Sequence, residues 1–457
     1  MTRARAVAKA TFTEAIVPGG HVVDPMIWLL LIVGFLLGPL KLLGASWFAY
    51  ALPDSIAGFV LLLVALDRLV TGKPLLTASG LTLPLVFLAA YCLLEVLNPE
   101  SPPVRSLIGL RSWLLYSAFY FVGLYTFRSV RQLERLYALL LGLGFVTALY
   151  GVYQWKVGPQ AFAGWSEQYG QYARLAWSAR SGTVFRAFST FVAAGTFGGN
   201  MAFVMLFAFS VMACAKIRVR WRVMAAALFA AMGAGIAASG SRGPVVILLL
   251  AATVAIAFTS GGWSKIGVVF KGAIVTGVAL LLIVILIGPV VGERFSSIFD
   301  PQAFFWKWFG PLAYGVRIAQ EHPFGMGLGY TAGVPQFIAG QVIRDLPTTN
   351  IDSGYGSAAA ELGFIGLALF IYFALKVGIE GFRAWRRLPP GRLRDLLLGP
   401  ALLAATYPIV SVIAQPQATL PSSIYFWLLI GMLIKAPTLE GARDADQLLR
   451  TAVHPGQ

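Results

Sequence analysis

Long apolar runs recur from one end of this chain to the other, separated by short clusters of arginine and lysine. That pattern fits a helical membrane protein, because each run is long enough to satisfy its own backbone as a helix in hydrocarbon. Hydrophobic residues make up 58% of the 457 and charged ones 12%, with a mean hydropathy of +0.77. A soluble chain carries about a quarter charged residues. A membrane β-barrel needs short segments of alternating hydrophobicity, and these runs are continuous. The expected fold is therefore all-α: a polytopic transmembrane bundle of about twelve spans. They are expected near 24–44, 52–69, 79–97, 111–128, 135–156, 188–214, 222–239, 244–260, 268–290, 354–378, 397–414 and 419–436. The second is short and follows Pro53.

The formal net charge of +16 does not indicate nucleic-acid binding, since the basic residues punctuate apolar runs and form no patch with interleaved aromatics. Their value is topological. Alternate connections hold Arg3, Arg5 and Lys9; Arg68 and Lys73; Arg128, Arg131 and Arg135; and Lys216, Arg218, Arg220 and Arg222. The same side takes Lys265 and Lys271; Lys376, Arg383, Arg386, Arg387, Arg392 and Arg394; and Lys435, Arg443 and Arg450. Twenty-three of the 35 basic residues thus fall on one side. The positive-inside rule makes that side cytoplasmic and puts both termini there. The expected organisation is a cytoplasmic segment 1–23, a membrane domain 24–436 with large outer loops 157–187 and 291–352, and a cytoplasmic tail 437–457. No cleavable signal peptide is expected, because the first 26 residues are polar to mixed. Cys92 and Cys214 lie in apolar runs and read as core residues, with no disulfide or metal framework.

Both outer loops exceed the few residues of an ordinary helix connection. The first carries Trp165, Tyr169, Tyr172 and Trp177 with Arg174, Arg180 and Arg186; the second carries ERFSSIFD at 293–300 and FFWKWF at 304–309. Such aromatics fit a membrane interface, or a platform for a sugar or prenyl chain. The stretch from His322 to Leu367 organises the rest. HPFGMGLGY is a Gly-rich turn, with Pro323, Gly325, Gly327 and Gly329 excluding a stable helix. NIDSGYGSAAAELGFIGLALF then opens an apolar helix on small and polar residues. The turn is expected to fold back onto the mouth of that helix.

Arg186 opens RAFSTF at the outer end of the sixth span, and Arg242 sits in SGSRG between the seventh and eighth. Each either snorkels to the interface or faces a polar cavity. With Arg317 in the second loop, they put cations among Ser, Thr and Gly on the outer side. Guanidinium forks suit phosphate, and Ser239, Ser241 and glycine N–H groups supply further donors. Proton-transfer candidates are few. His322 is either a turn residue or a titratable group. Glu361, deep in its helix, is either an ion-pair or capping partner or a participant in chemistry, since a carboxylate there costs about 3 kcal/mol on insertion scales. Asp352, nearer the surface, is the better general base. No metal-ligand spacing occurs on the outer side, which favours metal-independent chemistry without a cofactor.

SGSRG after an apolar helix, RAFSTF before one, ERFSSIFD, PFGMGLGY and DSGYGSAAAELGFIGL together resemble the O-antigen ligase and polysaccharide polymerase superfamily, over roughly residues 180–380. The family places His-Asn-x-Tyr before Glu-Leu-Gly-x-x-Gly-Leu; here those slots read Asp352, Ser353 and Tyr355, then Glu361, Leu362, Gly363, Gly366 and Leu367. Aspartate therefore stands where the ligases have histidine, unless the register puts Asn350 there. The resemblance implies a GT-C-like glycosyltransferase in the bacterial inner membrane with its active site facing the periplasm. Its donor would be an oligosaccharide on undecaprenyl pyrophosphate, and Arg186 and Arg242 would match the pyrophosphate-binding arginines. Asp352 would be the base of an inverting transfer; Arg317, Tyr355, Ser241, Glu361 and His322 would contact substrate. The missing histidine favours a polymerase of surface or exopolysaccharide repeat units over a ligase. A transporter of the same lipid-linked glycans is a third reading. Residues 383–394 read as a cytoplasmic anchor or a dock for a chain-length regulator.

Overall fold

A computed structural model of the chain describes residues 23–43, 46–166, 169, 185–259, 300–331, 351–416 and 419–453. These residues contain helices and turns and no β-strand. In order, the helices are α1 Val23–Phe35, α2 Leu37–Leu42, α3 Ser46–Val70, α4 Thr82–Glu95, α5 Pro103–Leu110, α6 Phe119–Thr126 and α7 Val130–Val157. There follow α8 Ala194–Ala213, α9 Val219–Ser239, α10 Gly243–Thr259, α11 Pro301–Trp308, α12 Gly310–Glu321, α13 Gly354–Arg387, α14 Arg392–Leu396, α15 Leu398–Ile413 and α16 Ser422–Val453. A π-helical turn, Arg111–Leu115, joins α5 to α6.

Local chemistry sets several of these boundaries. Ser129 caps α7 by accepting from the Gln132 N–H, and Ser353 caps α13 by accepting from the Gly356 N–H at 3.0 Å. Pro103 opens α5, where its missing N–H has no helical partner to lose. Gly240 ends α9 in the left-handed conformation.

Among the described residues, six helical stretches are long and apolar enough to cross a membrane: Pro103–Thr126, Val130–Ala161, Ala194–Ala213, Val219–Ser239, Gly354–Arg387 and Ser422–Leu439. Four more are apolar but shorter: Val23–Phe35, Thr82–Glu95, Gly243–Ile256 and Leu398–Ile413. The ninth expected span, 268–290, lies outside the described residues, as do Arg3, Arg5, Lys9, Lys265, Lys271, Tyr172, Arg174, Trp177, Arg180, Asn350 and residues 293–299.

Several expected boundaries move. The second span starts at Ser46, with Pro53 inside the helix. The fourth starts at Pro103, eight residues earlier than expected, because the Pro102–Pro103 pair launches a helix there. The segment expected as the second outer loop, 291–352, contains α11 and α12. The expected tail boundary at 437 falls within α16, which runs on to Val453.

Among the described residues most helices share a large apolar core, in which Tyr407, Phe426 and Trp427 pack edge and face against one another, and Ile318, Tyr330, Ile351 and Ala360 form a smaller cluster. Helices α6 and α16 cross where only glycine fits. A Cβ on Gly123 would stand 2.0 Å from the Leu428 carbonyl oxygen, and one on Gly431 2.1 Å from that of Tyr120.

The decisive irregularity is in α13. Gly363 leaves helical geometry at φ 64° and ψ −161°, so the helix is two pieces meeting at a kink. The break frees backbone groups for the Gly-rich turn: the Phe364 N–H donates to the Pro323 carbonyl at 3.0 Å, and the Met326 N–H to that of Ala360 at 2.8 Å. Interrupted backbone inside a membrane bundle persists where protein groups satisfy it. The Gly-rich turn thus docks on α13, as expected, but at the kink from Ala360 to Phe364 and not at the mouth of the helix at Gly354.

Candidate functional site

The segment 185–191 is irregular, yet held from two sides. The Ala187 N–H donates to the Ala238 carbonyl at 3.0 Å, tying the segment to the end of α9. Gln154 of α7 grips Ser189 reciprocally, accepting from its N–H at 2.7 Å and donating to its carbonyl at 3.2 Å. The Ser189 hydroxyl donates to the Thr147 carbonyl at 2.5 Å. Ser189 has φ 53°, uncommon for a residue with a Cβ, and these bonds hold it there.

That frame delivers Arg186 to the SGSRG turn. Its Nε donates to the Ser239 carbonyl at 3.2 Å and its Nη2 to the Ser241 hydroxyl at 2.9 Å. Ser241 is buried and Arg242, next in the turn, is half-buried. The Arg242 carbonyl accepts from Val245 and Val246, so this arginine starts α10. The turn packs on Gly198 of α8, where a Cβ would meet the Ser239 hydroxyl oxygen at 2.7 Å. The Arg186 guanidinium, a serine hydroxyl and a helix start thus meet at the turn whose sequence also carries Arg242. Such a constellation suits an oxyanion, for which arginine provides paired donors that stay charged.

Helix α11 links this turn to Asp352. A Cβ on Gly243 would lie 3.6 Å from the Trp308 indole, and the neighbouring Lys307 ammonium lies 3.7 Å from Asp352 Oδ2. The Asp352 side chain is 63% exposed, whereas its neighbours Ile351 and Ser353 are buried. The Gly354 N–H donates to the Ala414 carbonyl at 3.0 Å, anchoring this strip to the end of α15. Asp352 is thus an open carboxylate on a fixed backbone.

The remaining expected residues occupy different places. Glu361 is buried: Oε1 accepts from the Thr331 N–H at 2.7 Å and its hydroxyl at 2.6 Å, and Oε2 from Trp113 Nε1 at 2.8 Å. Both oxygens accept hydrogen bonds from the Gly-rich turn and the π-helical turn, which gives the carboxylate a structural role. Tyr355 is buried, edge-on to Phe370 at 5.5 Å, and fills core. Arg317 is 76% exposed and pairs with Glu321 one helical turn on, at 3.6 Å. His322 ends α12, with Nδ1 3.5 Å from Glu100 Oε1. The described partners of these residues are thus Thr331 and Trp113, Phe370, Glu321, and Glu100.

The sequence reading also missed the clamp on the Gly-rich turn. Arg105 of α5 is buried and donates through Nη2 to the carbonyls of Glu100 at 2.8 Å and Met326 at 2.9 Å. Its Nε donates to the Ser101 hydroxyl at 3.1 Å, and its guanidinium lies 5.7 Å from the Tyr330 ring. Asn98 adds a bond to the Gly325 carbonyl at 3.2 Å. Gly327 and Gly329 have φ of 77° and 80°, and a Cβ on either would stand 2.4 Å from Ser101 Cβ or the Arg105 carbonyl oxygen. Burial raises the Tyr330 phenol above the ordinary tyrosine range, so it stays neutral beside Arg105.

No family model matches the chain. Over 134 residues it is 30% identical to the probable peptidoglycan glycosyltransferase FtsW of Aliivibrio salmonicida (strain LFI1238). The match covers 28% of this chain and 30% of that protein, so the similarity spans less than a third of either.

Proposed function

We propose that this chain is a membrane glycosyltransferase of the O-antigen ligase and polysaccharide polymerase kind. It joins glycan repeat units carried on undecaprenyl pyrophosphate at the periplasmic face of the bacterial inner membrane. The observation that carries this reading is the Arg186 guanidinium bonded into the SGSRG turn beside Arg242. In glycosyl transfer from a lipid diphosphate, the leaving group gathers negative charge, and fixed cations with little water around them stabilise it most. The partial likeness to a peptidoglycan glycosyltransferase supports transfer of a glycan as the reaction type.

The acceptor hydroxyl needs a base, and Asp352 is the exposed carboxylate one helix away from the SGSRG turn. The Lys307 ammonium stands 3.7 Å from its Oδ2. Because the leaving diphosphate departs without protonation, no second carboxylate acting as acid is required.

That same likeness favours a second reading, in which the glycan is a peptidoglycan precursor and not a surface polysaccharide unit. A glycan profile of a strain lacking the protein separates the possibilities. Accumulation of carriers capped with one surface-polysaccharide repeat supports the polymerase. Long lipid-linked polymer that never reaches its acceptor indicates a ligase. Accumulated peptidoglycan precursor with normal surface glycan supports the second reading and overturns the first.

A further inference from the structure

Two basic connections far apart in the sequence lie side by side in the fold, outside the site above. One joins α8 to α9 and runs into its first turn, with Lys216, Arg218, Arg220 and Arg222; the other ends α13 and opens α14, with Arg383, Arg386, Arg387, Arg392 and Arg394. A Cβ on Gly391 would lie 3.8 Å from the Lys216 ammonium, so this lysine reaches across to the turn between α13 and α14. Buried bonds fix the pairing. The Ser210 hydroxyl of α8 accepts from the Gly399 N–H at 2.6 Å, and the Tyr137 hydroxyl of α7 donates to the Leu396 carbonyl at 2.6 Å. Arg222 Nε donates to the Met212 carbonyl at 2.9 Å and closes the α8–α9 connection.

These two stretches carry nine cations, and the carboxylates within them or paired to them are Glu134, Glu380 and Asp395. Two of the three are already engaged: Arg392 pairs with Glu134 at 2.6 Å and Arg383 with Glu380 at 2.9 Å. Arg394 lies 4.5 Å from the Trp385 ring and Arg386 5.5 Å from that of Phe382. Lys216, Arg218 and Arg387 are exposed and, among the described residues, make no ion pair. Such a surface selects an anion.

Its place in the fold says which. Ala194–Ala213, Val219–Ser239 and Gly354–Arg387 are each long and apolar enough to cross a membrane, and both connections lie at their ends. The cations therefore stand at the level of a bilayer's headgroups. The start of α9 is exposed on every side, and there Val219, Trp221, Val223 and Met224 interleave with Arg220 and Arg222. A soluble acidic partner would leave these apolar side chains in water, whereas a phospholipid takes the cations at its phosphate and the apolar groups among its chains. We infer that the surface formed by the two connections is a site for an anionic phospholipid, its phosphate held by Lys216, Arg218 and Arg387. Guanidinium forks and an ammonium on a flexible stem are the donors a phosphate diester takes. The inference does not depend on the function proposed above.

The test is thermal melting of the purified full-length protein in nanodiscs of phosphatidylcholine alone, or of phosphatidylcholine and phosphatidylglycerol in equal parts. Native mass spectrometry follows the phosphatidylglycerol retained. Wild type melts higher in the mixed bilayer and carries phosphatidylglycerol out of it. Lys216→Gln/Arg218→Gln/Arg387→Gln melts like wild type in phosphatidylcholine, gains nothing from phosphatidylglycerol and binds it about a hundredfold more weakly, at roughly fivefold per charge. Lys216→Gln alone loses about fivefold. Lys73→Gln/Arg128→Gln/Arg131→Gln, an equal loss of charge at other connections, keeps the wild-type response. Equal loss in the two triple variants reduces the effect to net charge and overturns the site. A wild type indifferent to phosphatidylglycerol, or a Lys216 triple variant that responds as wild type does, overturns it too. Poly-glutamate that protects the wild type in phosphatidylcholine as fully as phosphatidylglycerol does overturns a lipid in favour of an acidic protein partner.

Discussion

Thr331 gives both of its donors to one atom: its N–H and its hydroxyl reach Glu361 Oε1 at 2.7 and 2.6 Å. The Gly-rich turn thereby ends on a buried carboxylate of the helix on which it is folded. Arg105 grips the same turn through the Met326 carbonyl. The turn is a clamped element, and its clamps come from α5 and α13.

Replacing Glu361 by alanine strands the Thr331 N–H and the Trp113 indole N–H in the interior. An unsatisfied buried donor costs about 1–3 kcal/mol, so the variant melts well below wild type and the turn becomes sensitive to protease. Glu361→Gln keeps an acceptor for Thr331 and falls between the two. Melting in detergent with limited proteolysis over residues 322–331 reads this, and wild-type behaviour of the alanine protein would refute the clamp.

Gly363→Ala tests the kink. A Cβ there would stand 2.1 Å from the Pro323 carbonyl oxygen, at a φ that side chains avoid. The expected protein inserts and accumulates, but its Gly-rich turn detaches and transfer activity is lost. Normal activity would show that the break is incidental.

Gly327→Ala and Gly329→Ala act through the same wall, since each new Cβ meets Ser101 or Arg105 at 2.4 Å. Each is expected to destabilise by more than the roughly 1 kcal/mol that marks a compatible glycine replacement. Gly164→Ala, where a Cβ meets nothing within 4 Å, is the control and should melt like wild type.

Asp352→Asn removes the proposed base while keeping its shape. Its ion pair is exposed and 3.7 Å long, worth under about 1 kcal/mol, so stability should not move. Turnover should fall by about 10²–10⁴, the usual share of general base catalysis, with little change in donor binding. Unchanged turnover would move the base elsewhere.

The helices and the docking of the turn were legible because apolar runs and glycine clusters act locally. Arg186 and Arg242 stood out because they broke the charge pattern and sat among serines and glycines. Arg105 did not, because 98–110 read as a connection, whereas Pro103 in fact starts a helix; Arg111 stood at the expected edge of the fourth span. Their roles depend on partners far along the chain, Met326 for one and Asp54 for the other, and no local pattern announces such pairs. Glu361 was legible as a buried carboxylate, but the identity of Thr331 and Trp113 as its partners was not.

The most direct measurement is release of polyprenyl diphosphate by the purified protein in detergent, given a polyprenyl-diphosphate-linked repeat unit and no second compartment. Wild type should release the carrier and lengthen the glycan, and Arg186→Ala/Arg242→Ala should do neither while melting like wild type. Equal release by that double variant, or no release by the wild type with a substrate it binds, would contradict the account.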